Sequence, residues 1–159
     1  MINLKAKELT EEHAKQIAKW KYYNEYAIYN LPNWKNMIKE KYLLCDKLKR
    51  KQFTSYTNNQ NEIIGFINLH PEENFVFFGI GINPKYCNKG FGKELTKLAL
   101  NKCKIKFPNK PVILKVRTWN KRAINCYKSQ GFEFIKSKNQ EIYIGNGDFY
   151  IMKHLNKIT

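Results

Sequence analysis

Ile80-Gly81-Ile82-Asn83-Pro84-Lys85-Tyr86-Cys87-Asn88-Lys89-Gly90-Phe91-Gly92-Lys93 is the stretch on which the fold turns. It joins the end of an apolar run, a proline stop, a glycine-rich loop and the start of a helical period. The run Phe75 to Ile82 is almost continuously apolar, which predicts a strand buried on both faces. Gly79 and Gly81 weaken it and mark either a bulge or a place where something approaches the backbone closely. Beyond Lys93, Leu95, Leu98, Ala99 and Cys103 share a helical face, and Pro108 and Pro111 close the helix. Gly90 and Gly92 let the loop present amides without a Cβ in the way. The helix leaves its first N–H groups unpaired at the positive end of its dipole. Lys89 and Lys93 add full charges, so the stretch reads as a pyrophosphate cradle. A plain tight turn entering a helix would use the same residues. The Walker Lys-Ser/Thr pair and the three-glycine dinucleotide spacing are both missing.

Downstream, Val112 to Val116 predicts a strand, and Asn120 caps a helix through Ala123, Ile124, Tyr127 and Lys128. Gly131 fits the left-handed position just past that helix. Phe132–Lys136 and Phe149–Leu155 predict strands with Gly145-Asn146-Gly147 as turn chemistry between them. Upstream, Ile2 to Glu8 predicts a first strand. Thr10 caps a helix bearing Ala14, Ile17, Ala18 and Trp20, and Pro32-Asn33 opens another bearing Trp34, Met37, Ile38, Tyr42 and Leu43. The connection between these helices, Tyr22 to Leu31, is rich in tyrosine. Gln52–Tyr56 and Glu62–Leu69 form a hairpin about the Asn58–Asn61 turn, and His70 to Asn74 makes the next turn.

The chain has 159 residues, 43% of them apolar and 14% aromatic, which excludes disordered and fibrous classes. A chain of this size buries roughly 68–70% of its unfolded surface. Without repeats or linkers, residues 1–159 read as a single domain. The chain lacks a long apolar run, so no membrane span or membrane partner is expected. Residues 1–7 lack the apolar core of a secretory signal, and the expected location is cytoplasmic. The net charge of +16 comes almost wholly from lysine; Arg50, Arg117 and Arg122 are the only arginines. Lys, Asn and Ile share A/T-rich codons, so genome composition accounts for the bias and no specific nucleic-acid partner is expected. Cys45, Cys87, Cys103 and Cys126 lack metal or redox spacing and read as reduced thiols. His13, His70 and His154 stand apart, so no metal is implied.

Taken with the order strand, loop, helix, strand, helix, Gly-Phe, strand, two motifs resemble those of the GNAT superfamily of acetyl-CoA-dependent N-acetyltransferases. The family's Gln/Arg-x-x-Gly-x-Gly/Ala is filled by Cys87-Asn88-Lys89-Gly90-Phe91-Gly92, with Cys87 departing from Gln/Arg. Its Asn-x-x-Ala-x-x-x-Tyr-x-x-x-Gly-Phe is matched by Asn120, Ala123, Tyr127, Gly131 and Phe132. The resemblance implies an α/β (α+β) fold: a mixed, strongly twisted sheet with helices on both faces and two splayed parallel strands, here Phe75–Ile82 and Val112–Val116.

It also implies acetyl-CoA (coenzyme A) as cofactor and acetyl transfer to a primary amine of a small molecule, peptide or protein, by direct attack in a ternary complex. Its pyrophosphate would rest on Cys87, Asn88, Lys89, Gly90, Phe91, Gly92 and Lys93, and its pantetheine along Ile80, Gly81 and Ile82. Asn120 and Ala123 belong to the matching cofactor motif. Tyr127 stands at the family's position for the acid that meets the departing thiolate. Glu72 and Glu73 are candidate bases, with His70 near them, unless water relays the proton. Glu25, Tyr26 and Tyr29 are candidate acceptor contacts, although the same rings also serve as packing for the helical pair. Few carboxylates stand ready for a polycationic acceptor. The competing readings are a catalytically impaired acyl-CoA-binding protein and a basic nucleic-acid-binding module. Monomer and homodimer are both compatible with the sequence.

Overall fold

The computed structural model describes residues 3–142 and 145–157. Among them the strands are β1 (Lys5–Glu8), β2 (Phe53–Thr57), β3 (Ile63–Pro71), β4 (Val76–Ile82), β5 (Val112–Arg117), β6 (Glu133–Ile142) and β7 (Gly145–His154). The helices are α1 (Glu11–Ala18), α2 (Trp34–Lys39), α3 (Phe91–Lys106) and α4 (Lys121–Ser129). The strands form one mixed sheet in the order β1-β2-β3-β4-β5-β7-β6, as the resemblance implied. Met1–Phe66 with Gly81–Phe91 makes one compact unit, and Ile67–Ile80 with Gly92–Thr159 makes another. β3, β4 and α3 each run through both.

In the first unit, β1 pairs antiparallel with β2, from Lys5↔Thr57 to Glu8↔Thr54. Thr10 caps α1 as expected: its Oγ1 accepts from the His13 N–H, and His13 Nδ1 accepts from the Thr10 N–H in return. The core comprises Leu9, Ala14, Ile17, Met37, Leu44 and Phe53. α1 stops at Ala18, so Trp20 lies beyond it and stacks on Phe66 with centroids 6.0 Å apart. α2 ends at Lys39, earlier than the period suggested, because Lys41 adopts φ 60° and turns the chain out of the helix. Gly81 admits a close approach, as its place in a strand suggested. A Cβ there would overlap the Phe66 ring, so the glycine makes room for that side chain.

In the second unit, β4 and β5 are parallel, while β7 pairs antiparallel with both β5 and β6. Val76, Phe78, Leu95, Ala99, Val112, Leu114 and Met152 are buried. Asn156 closes the C-terminal end of α3: its Nδ2 donates to the carbonyls of Cys103, Phe107 and Lys110 at 3.3, 2.8 and 2.9 Å. The Cys103 carbonyl also accepts the Phe107 N–H at 2.8 Å and the Phe107 carbonyl the Lys110 N–H at 3.1 Å, so the long-range amide adds a second donor where the helix ends. The turn expected at Gly145–Gly147 is instead the start of β7, whose pairing with β6 runs to Ile142↔Gly145. A Cβ at Gly147 would meet the Arg117 guanidinium, the far end of a flexible side chain, which stacks 4.6 Å from the Phe149 ring. β4 departs from burial on both faces. Val76 and Phe78 are buried, but Gly79 to Ile82 are only half-buried.

Candidate active site

In the second unit, the parallel register joins Val76 to Val112 and Phe77 to Ile113, while the strands run on to Ile82 and Arg117. Among the described residues the pairing therefore ends where the half-buried part of β4 begins. This is the divergence expected of the splayed pair.

α4 carries Tyr127 and is fixed at both ends. Asn120 Oδ1 accepts from the Ala123 N–H at 3.2 Å. Gly131, at φ +94°, lets the chain double back so that the Tyr127 carbonyl accepts from Gln130 and Phe132 at 3.0 and 3.1 Å. The Tyr127 ring meets Phe132 and Phe78 edge-on, at 5.9 and 6.4 Å between centroids. Phe78 lies two residues before Ile80, so Tyr127 stands against the strand just where its pairing with β5 has lapsed.

α3 begins beside α4. A Cβ on Gly92 would sit 3.7 Å from Cys126 Sγ, an ordinary contact, and Gly92 has no left-handed φ. Neither the backbone nor the neighbours therefore demand glycine there. Thr96 Oγ1 donates to the Gly92 carbonyl at 2.7 Å and locks the first turn. Burial pushes the Cys126 thiol up, so it is a packing group here and not a thiolate.

The loop before α3 belongs to the first unit through Phe91. Asn83 anchors its base: the backbone N–H donates to Ile64 O and Nδ2 to Ile63 O, both at 2.9 Å. Cys87 Sγ lies 3.8 Å from Asn83 O and 4.0 Å from Ile82 O, so this residue turns back onto the strand end. Asn88 and Gly90 adopt φ 61° and 87°, one on either side of Lys89. A Cβ at Gly90 would meet nothing within 4 Å, so the space over the loop is open. Tyr86 supports the loop from beneath. Its hydroxyl donates to the Glu62 carboxylate in a short hydrogen bond, and its ring meets Phe91 edge-on and Lys89 Nζ at 5.7 Å. The Tyr86 bond, and then Lys85, hold the Glu62 carboxyl below its usual range; the same bond raises the Tyr86 phenol.

The tyrosine-rich connection also belongs to the first unit. Asn24–Tyr29 form a 3-10 helix with no buried residue. Asn30 clips it shut, accepting from the Tyr22 N–H at 2.6 Å and donating to the Tyr22 carbonyl at 3.2 Å. The Tyr22 hydroxyl donates to the Ile82 carbonyl at 2.6 Å. Tyr26 and Tyr29 are half-buried and Glu25 is exposed. Trp34 packs against the core, so it serves the helical pair.

Tyr127, Ala123, Asn120, Ile80, Gly92 and Lys93 thus gather in one unit, and Gly81, Ile82, Cys87 to Phe91 and the tyrosine connection in the other. Glu72 and Glu73 are not brought to Tyr127. They precede β4 at its paired end, where Glu72 meets His70 Nε2 at 3.1 Å. At about 3.3 Å per strand residue, the lapse in pairing lies well away from them. Sequence reading did not single out Tyr22 or Glu62. Tyr22 lay within a flagged stretch, whereas Glu62 reaches Tyr86 only through the fold and has no local signal. Among the described residues, no group of three or more His, Cys, Asp and Glu is placed to hold a metal, and no helix is long and apolar enough to cross a membrane.

Residues 12–132 match the family described as the acetyltransferase (GNAT) family. No curated protein matches the chain. Among solved structures, a spermidine N-acetyltransferase chimera from Vibrio cholerae and hSSAT is 20% identical with a TM-score of 0.77, over 96% of this chain and 95% of that one. The spermidine N-acetyltransferase from Vibrio cholerae in complex with CoA and spermine is 20% identical with a TM-score of 0.75, over 96% and 95%. The ribosomal-protein-S18-alanine N-acetyltransferase from Escherichia coli is 16% identical with a TM-score of 0.70, over 99% and 96%. At these identities the likeness concerns the fold.

Proposed function

The chain belongs to the acetyltransferase (GNAT) family, enzymes that transfer an acyl group from CoA to an amine, and from that premise we propose that its donor is acetyl-CoA and its acceptor a primary amine that attacks in a ternary complex. The two units would serve as one transferase domain, since β3, β4 and α3 are common to both. The observation that carries the donor assignment is the loop entering α3. Asn88 and Gly90 are left-handed, the space over Gly90 is open, and Gly92 is a glycine that the fold itself does not require. A ligand lying against the amides of residues 88–93 supplies the missing requirement, and a helix start favours an anion there. Lys89 and Lys93 are both exposed and would add charge to that anion site. Cys87 turns toward Ile82 and Asn83, which leaves the anion to the amides and lysines.

Acetyl-CoA supplies an acetyl group activated as a thioester. Backbone of β4 at Ile80 and Ile82 would hold the pantetheine amides, and an N–H of the same segment would take the developing oxyanion. The Ile82 carbonyl accepts from Tyr22, and that hydroxyl would fix the strand end beside the acceptor. The Tyr127 hydroxyl would donate to sulfur as the C–S bond breaks and the amine's C–N bond forms. A phenol near pKa 10 against a thiol near 8.5 makes complete transfer uphill by roughly 2 kcal/mol, so the hydrogen bond itself is the contribution. Glu72 and Glu73 lie at the other end of β4, and the ammonium proton would leave through water. Glu25, Tyr26 and Tyr29 would border the acceptor. With one carboxylate between Tyr22 and Leu31, this border suits a single amine better than a polyamine.

Thermal unfolding with acetyl-CoA tests the donor assignment. At about a hundredfold excess over Kd the gain should be about 2.7 kcal/mol. Gly92→Ala, which meets only an ordinary contact, should keep the fold, and Gly92→Val should remove most of the gain by covering the amides. An undiminished gain in both variants would refute the cradle.

A further inference from the structure

The register of the second unit builds a lysine-rich sheet face opposite the one that meets α4. Ile113, Lys115 and Arg117 of β5 pair with Lys153, Ile151 and Phe149 of β7. Ile151 and Phe149 in turn pair with Lys136 and Lys138 of β6. Paired residues share a face, and alternate residues along a strand return to it. Phe77 of β4 joins this face through its register with Ile113. Tyr127 meets the other face, at Phe78.

Three apolar side chains, Phe77, Ile113 and Ile151, form a half-exposed stripe on this face. Lys115 and Lys153 are half-exposed beside it, and Lys136 and Lys138 are exposed at its β6 margin. Glu133 is an acid placed on this face, through its pairing with Lys153. Burial, and then the charge of Lys138, make the Lys115 ammonium easier to deprotonate than usual, so lysines two strands apart feel each other. Positive charge around an apolar stripe calls for a partner with the converse pattern.

We propose that this face docks an acidic polypeptide, whose carboxylates meet Lys115, Lys136, Lys138 and Lys153 while its apolar side chains cover Ile113 and Ile151. A second copy of the chain, at +16, repels this surface. Recognition of a nucleic acid by its bases would need a ring face for stacking or a guanidinium fork for base edges, and without them only weak phosphate contacts remain to it. The ring available, Phe77, has Lys115 Nζ 5.8 Å from its centroid, and Arg117 is buried against Phe149. Docking on this face requires no acetyl transfer and is read without acetyl-CoA.

The test is fluorescence anisotropy with a labelled peptide of alternating Glu and Leu, at near-physiological salt. Lys136→Glu with Lys138→Glu should weaken binding by about tenfold or more, as for charges at an interface rim. Lys97→Glu with Lys104→Glu, on exposed positions of α3, lowers the net charge equally and should change it less than about twofold. Lys136→Gln with Lys138→Gln, a milder change, should lie between and guards against a reversal that disturbs folding, which circular dichroism checks. Equal losses in the two Glu pairs would reduce the effect to overall charge and overturn the proposal. So would failure of the wild-type chain to bind the peptide, or tighter binding of an oligonucleotide that depends on Lys136 and Lys138.

Discussion

Tyr127 is held by its own helix's cap and by two rings, contacts that do not use its hydroxyl. Phe132 and Phe78 contact the ring edge-on, and the Gly131 cap fixes the backbone carbonyl. Tyr127→Phe keeps all of these. We expect turnover to fall by roughly 10²-fold, the lower range for a proton donor in a transition state, with little change in acetyl-CoA affinity. Steady-state kinetics beside a binding isotherm checks this. Lost affinity or a lower melting point would make the residue structural, and unchanged turnover would give sulfur's proton to water. Tyr127, Asn120 and Gly131 were legible because each acts within a turn or two of its own position. Tyr22 on Ile82, Phe66 against Gly81 and Arg117 against Gly147 were not, because each meets a partner that only the folded chain brings near.

At the scale of elements, caps read well and ends without a residue signal did not. Thr10, Asn33 and Asn120 each accept an N–H three residues on, as short polar side chains at helix starts do. α2 stopped early through a lysine in the left-handed region, a position where sequence offers no warning. β6 and β7 outran their predicted lengths because each continues as long as the other pairs with it. Two element ends depend on neutral histidine. His13 Nδ1 accepts from Thr10 at the start of α1, and His154 Nδ1 accepts from the Asn156 N–H at 3.0 Å, beside the amide that closes α3. Burial, first among the causes, holds both imidazoles below the ordinary 6.5. As pH falls through about 6.5 the unfolded chain gains protons before the folded one does. This share of stability is therefore whole above 6.5 and declines as pH drops toward the folded values. Denaturation midpoints should fall between pH 7.5 and 5.5. His13→Gln, a capping-box residue that does not titrate, should flatten the dependence; an identical slope would remove His13 from the account.

At the scale of the whole molecule, the excess of lysine raises the question of nucleic acid, and the placement of the arginines answers it. The chain has 29 basic residues against 13 acidic ones, yet only three are arginine. Arg50 is buried and donates to the Leu44 carbonyl at 2.9 Å. Arg117 is buried against Phe149. Arg122 is exposed in the first turn of α4. Guanidinium forks, which read guanine edges bidentately, are thus largely committed to the interior. What remains is lysine, a point charge suited to phosphate and indifferent to sequence. Two duplexes of unrelated sequence should therefore bind with equal, weak affinity at physiological salt, roughly 10⁻⁴–10⁻⁶ M, and lose it steeply as salt rises. Anisotropy titrations at two salt concentrations measure this. Nanomolar binding that distinguishes the duplexes would mean that some surface reads bases, and the lysine excess would have to be reassigned from compositional bias to recognition.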